Sequence, residues 1–137
     1  PAIGRCRIFE RTGTGEYALL STIVGKNSRE ELGWSASISA DGNKVACGGM
    51  GGQMLDLGET GVARVWDRLS LVESEVLPRG ERFSSISGAS FGSSVSLSSD
   101  GSSLVVGAST WIGTAKASSA AGAVQMFGIG TQSVSTP

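Results

Sequence analysis

The stretch "FGSSVSLSSDGSSLVVGAS", residues 91–109, has two apolar runs on either side of an Asp-Gly pair. In the first run Val95 and Leu97 alternate with serines, which is the period of a β-strand with one bulky face and one small face. Asp100-Gly101 favours a two-residue hairpin turn, because glycine readily adopts the positive φ that such a turn requires. The second run is apolar at successive positions, which indicates a strand covered on both faces. The stretch therefore predicts a β-hairpin.

The same pattern occurs earlier in the chain. Residues 33–50, "GWSASISADGNKVACGGM", align without a gap to residues 92–109 and agree at about seven of eighteen positions, an offset of 59 residues. That offset is in or just above the range of a four-stranded propeller blade. A second series keeps step with it: "GRCRIFE" from Gly4, "GVARVWD" from Gly61 and "GAVQMFG" from Gly122. We expect this series to form the third strand of each repeat.

Two further stretches lie where a fourth strand would complete the repeat, "EYALLSTIVG" at 16–25 and "LVESEVLPRGERFSSISG" at 71–88. Pro78 is expected to interrupt the second, because proline cannot donate a hydrogen bond to a central strand ladder. The total is nine predicted strands in groups of three or four. Trp34 and Trp66 alternate with core positions and are predicted to pack in the interior.

The composition favours an all-β protein and excludes several classes of function. Charged residues make up 17% and the chain has 21 glycines, which suits short strands and tight turns. A net charge of −1 provides no basic surface for nucleic acid. The chain has no histidine, so Ser-His-Asp and Cys-His catalysis and nearly all catalytic zinc sites are unexpected. No apolar run approaches the roughly 20 residues of a membrane helix, and no membrane insertion is expected.

Cys6 and Cys47 could form one disulfide at most, and neither lies in a Cys-x-x-Cys pair. Because free cysteine is among the most frequently buried residues, we expect both to be small packed side chains. No metal or cofactor is predicted.

The later hairpin and its third strand, "FGSSVSLSSDGSSLVVGAS…GAVQMF", resemble the FG-GAP repeat of integrin-α-type β-propellers. The earlier copy has Leu32-Gly33 for Phe-Gly and Gly48-Gly49 for Gly-Ala. The resemblance implies four-stranded antiparallel blades, a binding function without catalysis, and a location outside the cell or on its surface. Other propellers and a small β-sandwich share Gly-rich hairpins and stay as alternatives.

The resemblance divides the chain into the end of one blade (1–32), a second blade (33–91) and an incomplete third blade (92–137). Many FG-GAP hairpins carry a calcium loop with several carboxylates, whereas these hairpins have one each, Asp41 and Asp100. Calcium requires six to eight oxygen ligands, so each Asp is predicted to bond backbone N–H groups of its own turn.

A closed propeller has four to eight blades, or about 240 residues and more at this repeat length. The chain provides little more than two blades. We therefore expect it to be part of a longer propeller, to complete a ring as a homo-oligomer, or to remain an open stack with exposed edges.

The resemblance places the ligand-facing loops between the second and third strands of each blade, at 51–60 and 110–121. Long loops on a rigid scaffold are common sites of recognition. Trp111 is the leading candidate, since an exposed indole can stack on a sugar or anchor a protein, although it could equally cover a blade edge. The candidate ligand-binding residues are Met54, Asp56, Glu59, Trp111, Ile112 and Lys116.

A protein or glycan ligand is the predicted partner, and an enzyme is not expected. "GGMGGQ" from Gly48 lacks the Lys-Ser/Thr of a phosphate-binding loop. Asp56, Glu59 and Asp67 could pair as glycosidase carboxylates, but the sequence does not place any two of them together. Arg7 and Arg64 share a repeat position that Gln125 fills in the third copy, which favours a structural polar position. The alternatives are the propeller portion of a larger hydrolase or lyase, and a scaffold segment for self-assembly.

Overall fold

The structure, a computed structural model, describes residues 2–51, 53–54, 58–59, 61–76, 90–110 and 122–130, with the backbone alone at 53–54, 58–59 and 75. The described residues form eleven strands and no helix. The strands are β1 (Arg5–Arg11), β2 (Tyr17–Val24), β3 (Ser35–Ile38), β4 (Lys44–Gly49), β5 (Gln53–Met54), β6 (Gly58–Glu59), β7 (Val62–Asp67), β8 (Val72–Val76), β9 (Phe91–Leu97), β10 (Ser103–Ala108) and β11 (Ala123–Gly128).

Nine of these strands make three antiparallel sheets. The first sheet is β1-β2, the central sheet is β3-β4-β7-β8, and the third sheet is β11-β10-β9; β5 and β6 pair separately as a short hairpin. The all-β class is confirmed, and β2 and β8 confirm the predicted fourth strands. Pro78 lies outside the described residues. Over the described ranges the sheets do not close into a ring, and no helix long and apolar enough to span a membrane is present.

The two repeats form matching hairpins. Ala36 pairs with Cys47 in the central sheet, and the equivalent Val95 pairs with Val106 in the third. The turns, however, are longer than the predicted two residues, since Ser39 N–H donates to the Lys44 carbonyl across four intervening residues. Glycine alone takes positive φ there, 70° at Gly42 and 67° at Gly101. The preceding aspartates do not take positive φ, and their carboxylates accept hydrogen bonds from within the turn.

The central sheet is covered on both faces. All of β4 and nearly all of β7 are buried, as the successive apolar positions of "KVACGG" predict. One core lies between the central and third sheets: Ala46, Ala63, Val65, Phe91, Leu104, Val106, Ala108 and Phe127. The other lies between the first and central sheets: Cys6, Ile8, Ile23, Leu32, Val45, Cys47 and Trp66.

The small face of β3 lies directly against β9. Ser35 Oγ donates to the Gly92 carbonyl at 2.8 Å, and Leu97 N–H donates to Ser37 Oγ at 2.9 Å. The predicted division into a bulky face and a small face is therefore confirmed, and the serine face is the one that meets the next sheet. Ile38, on the opposite face of β3, is exposed.

The two strand-associated tryptophans differ. Trp66 is buried between the first and central sheets, as predicted. The prediction for Trp34 is wrong, because its side chain is 61% exposed. The first sheet packs on residues of β4 and β7, and the core that it forms with the central sheet includes no residue between 33 and 38. The side chain of Trp34 is therefore not covered by the first sheet.

The prediction that Cys6 and Cys47 are small packed side chains is confirmed in part: both are buried, but they form a disulfide instead of remaining free thiols. Both side chains belong to the core between the first and central sheets, Cys6 from β1 and Cys47 from β4, and their Cα atoms are 6.5 Å apart. The bridge closes a sequence separation of 41 residues and joins the first sheet covalently to the central one.

We expect reduction of this disulfide to lower the free energy of unfolding by about 2–4 kcal/mol, because the unfolded chain regains the entropy of an open loop. The measurement is urea unfolding with and without a reductant. Cys6→Ala is the control, because its stability should not respond to the reductant. Equal stability of the oxidised and reduced wild-type protein would contradict the expectation.

Candidate functional site

The two long connections leave the same end of the stacked sheets. One joins the end of β4 at Gly49 to β7, and the other joins the end of β10 at Ala108 to β11. Gly49 and Ala108 both lie beside the first residues of β9: Ala108 pairs with Phe91, and Gly92 contacts Gly49. The structure thus brings the bases of the two predicted ligand loops together around the start of β9.

Hydrogen bonds fix this end further. Thr110, at the base of the second connection, donates from Oγ1 to Ser90 Oγ at 2.8 Å. Gly61, at the far end of the first connection, forms a parallel bridge with Phe91. Residues at the bases of both connections therefore contact the same short segment, 90–91.

Few of the candidate residues themselves fall in the described part of the chain. Met54 and Glu59 belong to β5 and β6, where Met54 pairs with Gly58 and Gln53 pairs with Glu59. This hairpin within the first connection was not predicted, because two-residue strands have no periodicity to detect. The other candidates lie outside the described residues: Asp56, Trp111, Ile112 and Lys116.

A buried ion pair supports the base of the first connection. Arg64, on β7, donates from Nε to Glu30 Oε1 at 2.7 Å and from Nη2 to Glu30 Oε2 at 3.0 Å, and neither side chain is exposed to solvent. Glu30 Oε2 also accepts from the backbone N–H groups of Lys26 (2.8 Å) and Asn27 (3.0 Å). This carboxylate therefore holds the turn before β3 against β7.

Glu73 continues the network toward the surface. Its carboxylate lies 3.3 Å from Arg64 Nη1 and 3.5 Å from Lys26 Nζ. The predicted structural role of the repeat position is confirmed for Arg64, whereas Arg7, its equivalent in the first sheet, is exposed. Glu30 was not predicted as its partner, because no local pattern connects residues 34 positions apart.

The pKa of Glu30 reflects both burial and pairing. Burial is the largest single influence and raises the pKa, but the hydrogen bonds from Arg64, Asn27 and Lys26 together outweigh it, so the pKa is lowered. A carboxyl whose folded-state pKa is depressed stabilises the fold above its unfolded pKa and loses that effect as the pH falls through the folded value.

The hairpin aspartates occupy the opposite end of the sheets and satisfy their own turns. Asp41 Oδ1 accepts from Ser39 Oγ at 2.6 Å and from Asn43 N–H at 3.0 Å. Asp100 Oδ1 makes the same pair of contacts with Ser98 Oγ (2.6 Å) and Ser102 N–H (3.0 Å). The predicted turn role is confirmed for both. The described part of the chain contains no group of three or more metal-binding side chains.

Asp67 is separated from the candidate loops by the length of β7. Its carboxylate accepts from Leu69 N–H at 2.9 Å and from Ser70 N–H at 3.0 Å in the turn after the strand. At about 3.3 Å per residue, Asp67 lies roughly 17 Å from Val62, where the first connection ends. This distance does not suit a glycosidase pair between Asp67 and a carboxylate near the base of that connection.

Trp34 lies at the end of the sheets from which the connections leave, although the sequence predicted it to be in the core. It follows Gly33, whose N–H donates to the Gly48 carbonyl near the end of β4, and its indole is largely exposed. The structure thus places an exposed tryptophan at the end from which both connections leave. Its serine-rich setting gave no signal that distinguished it from a core tryptophan.

No family model and no curated protein matches the chain. The FG-GAP resemblance therefore stays a prediction from the sequence.

We expect Glu30→Gln to lower the free energy of unfolding by about 3 kcal/mol at neutral pH, because it leaves the buried Arg64 guanidinium with only the partly exposed Glu73 carboxylate as its counter-charge. The difference from wild type should shrink as the pH falls through the depressed pKa of Glu30, where wild type is also protonated. Chemical unfolding across pH measures this. Glu16→Gln, at an exposed site, is the matched control, and equal loss in the two variants would contradict the role of the ion pair.

We expect the Asp100 carboxyl to titrate at about 2, because hydrogen bonds from Ser98 Oγ first, and from Ser102 next, stabilise its charged form. Ser98→Ala should raise this pKa toward its ordinary value, and Ser39→Ala should do the same for Asp41. The stabilisation from Asp100 should be complete above its ordinary pKa of 3.8 and should be lost as the pH falls from there through the folded pKa of about 2. Carboxyl NMR titration provides the measurement. An unchanged Asp100 pKa in Ser98→Ala would contradict the assignment.

Proposed function

We propose that the chain is a non-enzymatic binding module built of FG-GAP-like propeller blades, and that its loops 51–60 and 110–121 contact a protein or glycan ligand. One observation carries the proposal: both connections leave the same end of two stacked sheets, and their bases meet at residues 90–91. A ligand that contacts both loops would therefore meet a base that is already ordered, which lowers the entropic cost of binding.

The supports beneath the loops favour binding over a flexible linker. Arg64 and Glu30 fix the turn beside β7, and the Glu30 carbonyl lies so close to Gly49 that a side chain there would collide with it. Loops mounted on such a base can differ in sequence without disturbing the sheets. This is the arrangement expected of a recognition scaffold.

A location outside the cell is part of the proposal. The Cys6–Cys47 disulfide supports it, because disulfides form and persist mainly in oxidising compartments. The partner class, protein or glycan, rests on two tryptophans: Trp34, whose side chain is exposed at this end, and Trp111, which belongs to the second connection. Indoles contact both sugars and protein surfaces well.

We expect Trp111→Ala to weaken retention on glycan or cell-surface protein arrays by about tenfold or more, because a buried indole contact is a common source of binding energy at interfaces. The control is Phe9→Ala, which removes an exposed aromatic ring from β1 rather than from a loop. Circular dichroism would confirm that both variants fold. Retention of Trp111→Ala equal to that of wild type would count against the loops as the ligand-binding surface.

A further inference from the structure

Three glycines at equivalent repeat positions begin the third strands: Gly4, Gly61 and Gly122. All have positive φ, at 77°, 85° and 69°. The first two form parallel bridges with the next sheet, Gly4 with Leu32 and Gly61 with Phe91. In both cases the residue received is a large apolar residue followed by glycine, at the start of the neighbouring sheet's first strand.

The pair Phe91-Gly92 shows how such a start is held. Phe91 is fully buried, and its ring meets Phe127 edge to face with centroids 5.8 Å apart. Gly92 fits because a side chain there would collide with the Val62 carbonyl, and its own carbonyl accepts from Ser35 Oγ. The central sheet thus has a notch, formed by Ser35, Gly61 and Val62, that receives the start of a strand. We call the large apolar residue and the glycine that enter it the apolar-Gly strand start.

The third sheet has the same notch on its outer face. A cavity of about 420 Å³ is lined by the repeat equivalents of the central-sheet residues, among them Ser94, Gly107, Gly122, Ala123 and Val124. A side chain at Gly122 would approach nothing closer than 3.6 Å, whereas one at Gly4 or Gly61 would collide with the backbone of the residue received there. Among the described residues, no apolar-Gly strand start lies in this third notch.

The exposed fractions of side chains on β11, the strand beside this notch, show the same difference between the third and the central sheet. Val124 and Met126 of β11 are 69% and 74% exposed, whereas their central-sheet equivalents Ala63 and Val65 are 0% and 2% exposed because the third sheet covers them. An antiparallel strand that faces water normally carries polar residues on that face. The outer face of β11 therefore has the character of a covered face.

We propose that the outer face of the third sheet is a docking surface for a further β-hairpin repeat, which inserts a large apolar residue followed by glycine into the notch beside Gly122. The incoming glycine carbonyl accepts from Ser94 Oγ, as Gly92 accepts from Ser35 Oγ in the interface already formed. An N–H of the incoming strand donates to Ser96 Oγ, as Leu97 N–H donates to Ser37 Oγ.

The occupant is a further repeat supplied by another polypeptide segment rather than a second copy of this chain. In the described part of the chain both strand starts of this type, Leu32-Gly33 and Phe91-Gly92, already occupy notches of their own protein. A second copy could offer one of them only by opening its own core.

The test uses the intact chain and a cyclised peptide of residues 90–109, whose closed ends hold the hairpin together. We expect saturable 1:1 binding, measured by anisotropy of a labelled peptide and by shifts of the Met126 methyl resonance. A peptide carrying Phe91→Ala should bind at least tenfold more weakly. The chain variant Val124→Glu should show a similar loss, while Leu69→Glu, at an exposed site in the turn after β7, should bind like wild type.

Three outcomes would overturn the proposal. Absence of binding by the wild-type peptide would show that the face does not accept a repeat or is already covered by the chain itself. Equal binding to wild type and Val124→Glu would show that the peptide exchanges with β9 and β10 instead of docking outside. A dimer of the chain alone that Val124→Glu dissociates, detected by analytical ultracentrifugation, would identify a second copy as the occupant.

Discussion

Coverage of the central sheet on both faces is the constraint on which the rest of the structure depends. Ala46 and Cys47 are adjacent in β4, so their side chains point to opposite faces, and each is buried in a different core. Such a strand has no face that can meet water, and it is stable only between two neighbours. Each neighbouring sheet contributes one apolar face to this arrangement and leaves its other face uncovered by the described residues.

The first sheet needs help to act as a cover, because a two-stranded hairpin is marginally stable by itself. It has two supports besides its apolar face. The disulfide ties Cys6 of β1 to β4, and the Glu30 carboxylate ties the segment between β2 and β3 to Arg64 of β7. Both supports attach to the face of the central sheet that the third sheet does not touch, so they compensate for the smaller of the two covers.

The sequence predicted the features that depend on local pattern. Alternation and the Asp-Gly pairs identified the hairpins, and successive apolar residues identified β4 as a strand covered on both faces. The same prediction is wrong for β10, because the described residues cover only one face of the third sheet. Contacts between distant residues were not predictable in the same way: Cys6 and Cys47 are 41 residues apart, and only the stacking of sheets makes them face one another. Trp34 was misassigned because the alternation of apolar residues shows which positions share a face, but not whether another sheet covers that face.

The exposed apolar side chains follow from position in the stack rather than from residue type. The third-strand series ends on two successive apolar positions. The second of these is exposed in the first sheet, at Phe9, and buried in the other two sheets, at Trp66 and Phe127. The first is buried at Ile8 and Val65 and exposed only in the third sheet, at Met126. At these two positions each sheet therefore exposes only a side chain on a face that lacks a neighbour. Those faces run along the strands, whereas the long connections leave from the strand ends. The notch of the third sheet lies where the two meet, because its lining includes Ser109 and Gly122, which border the second connection.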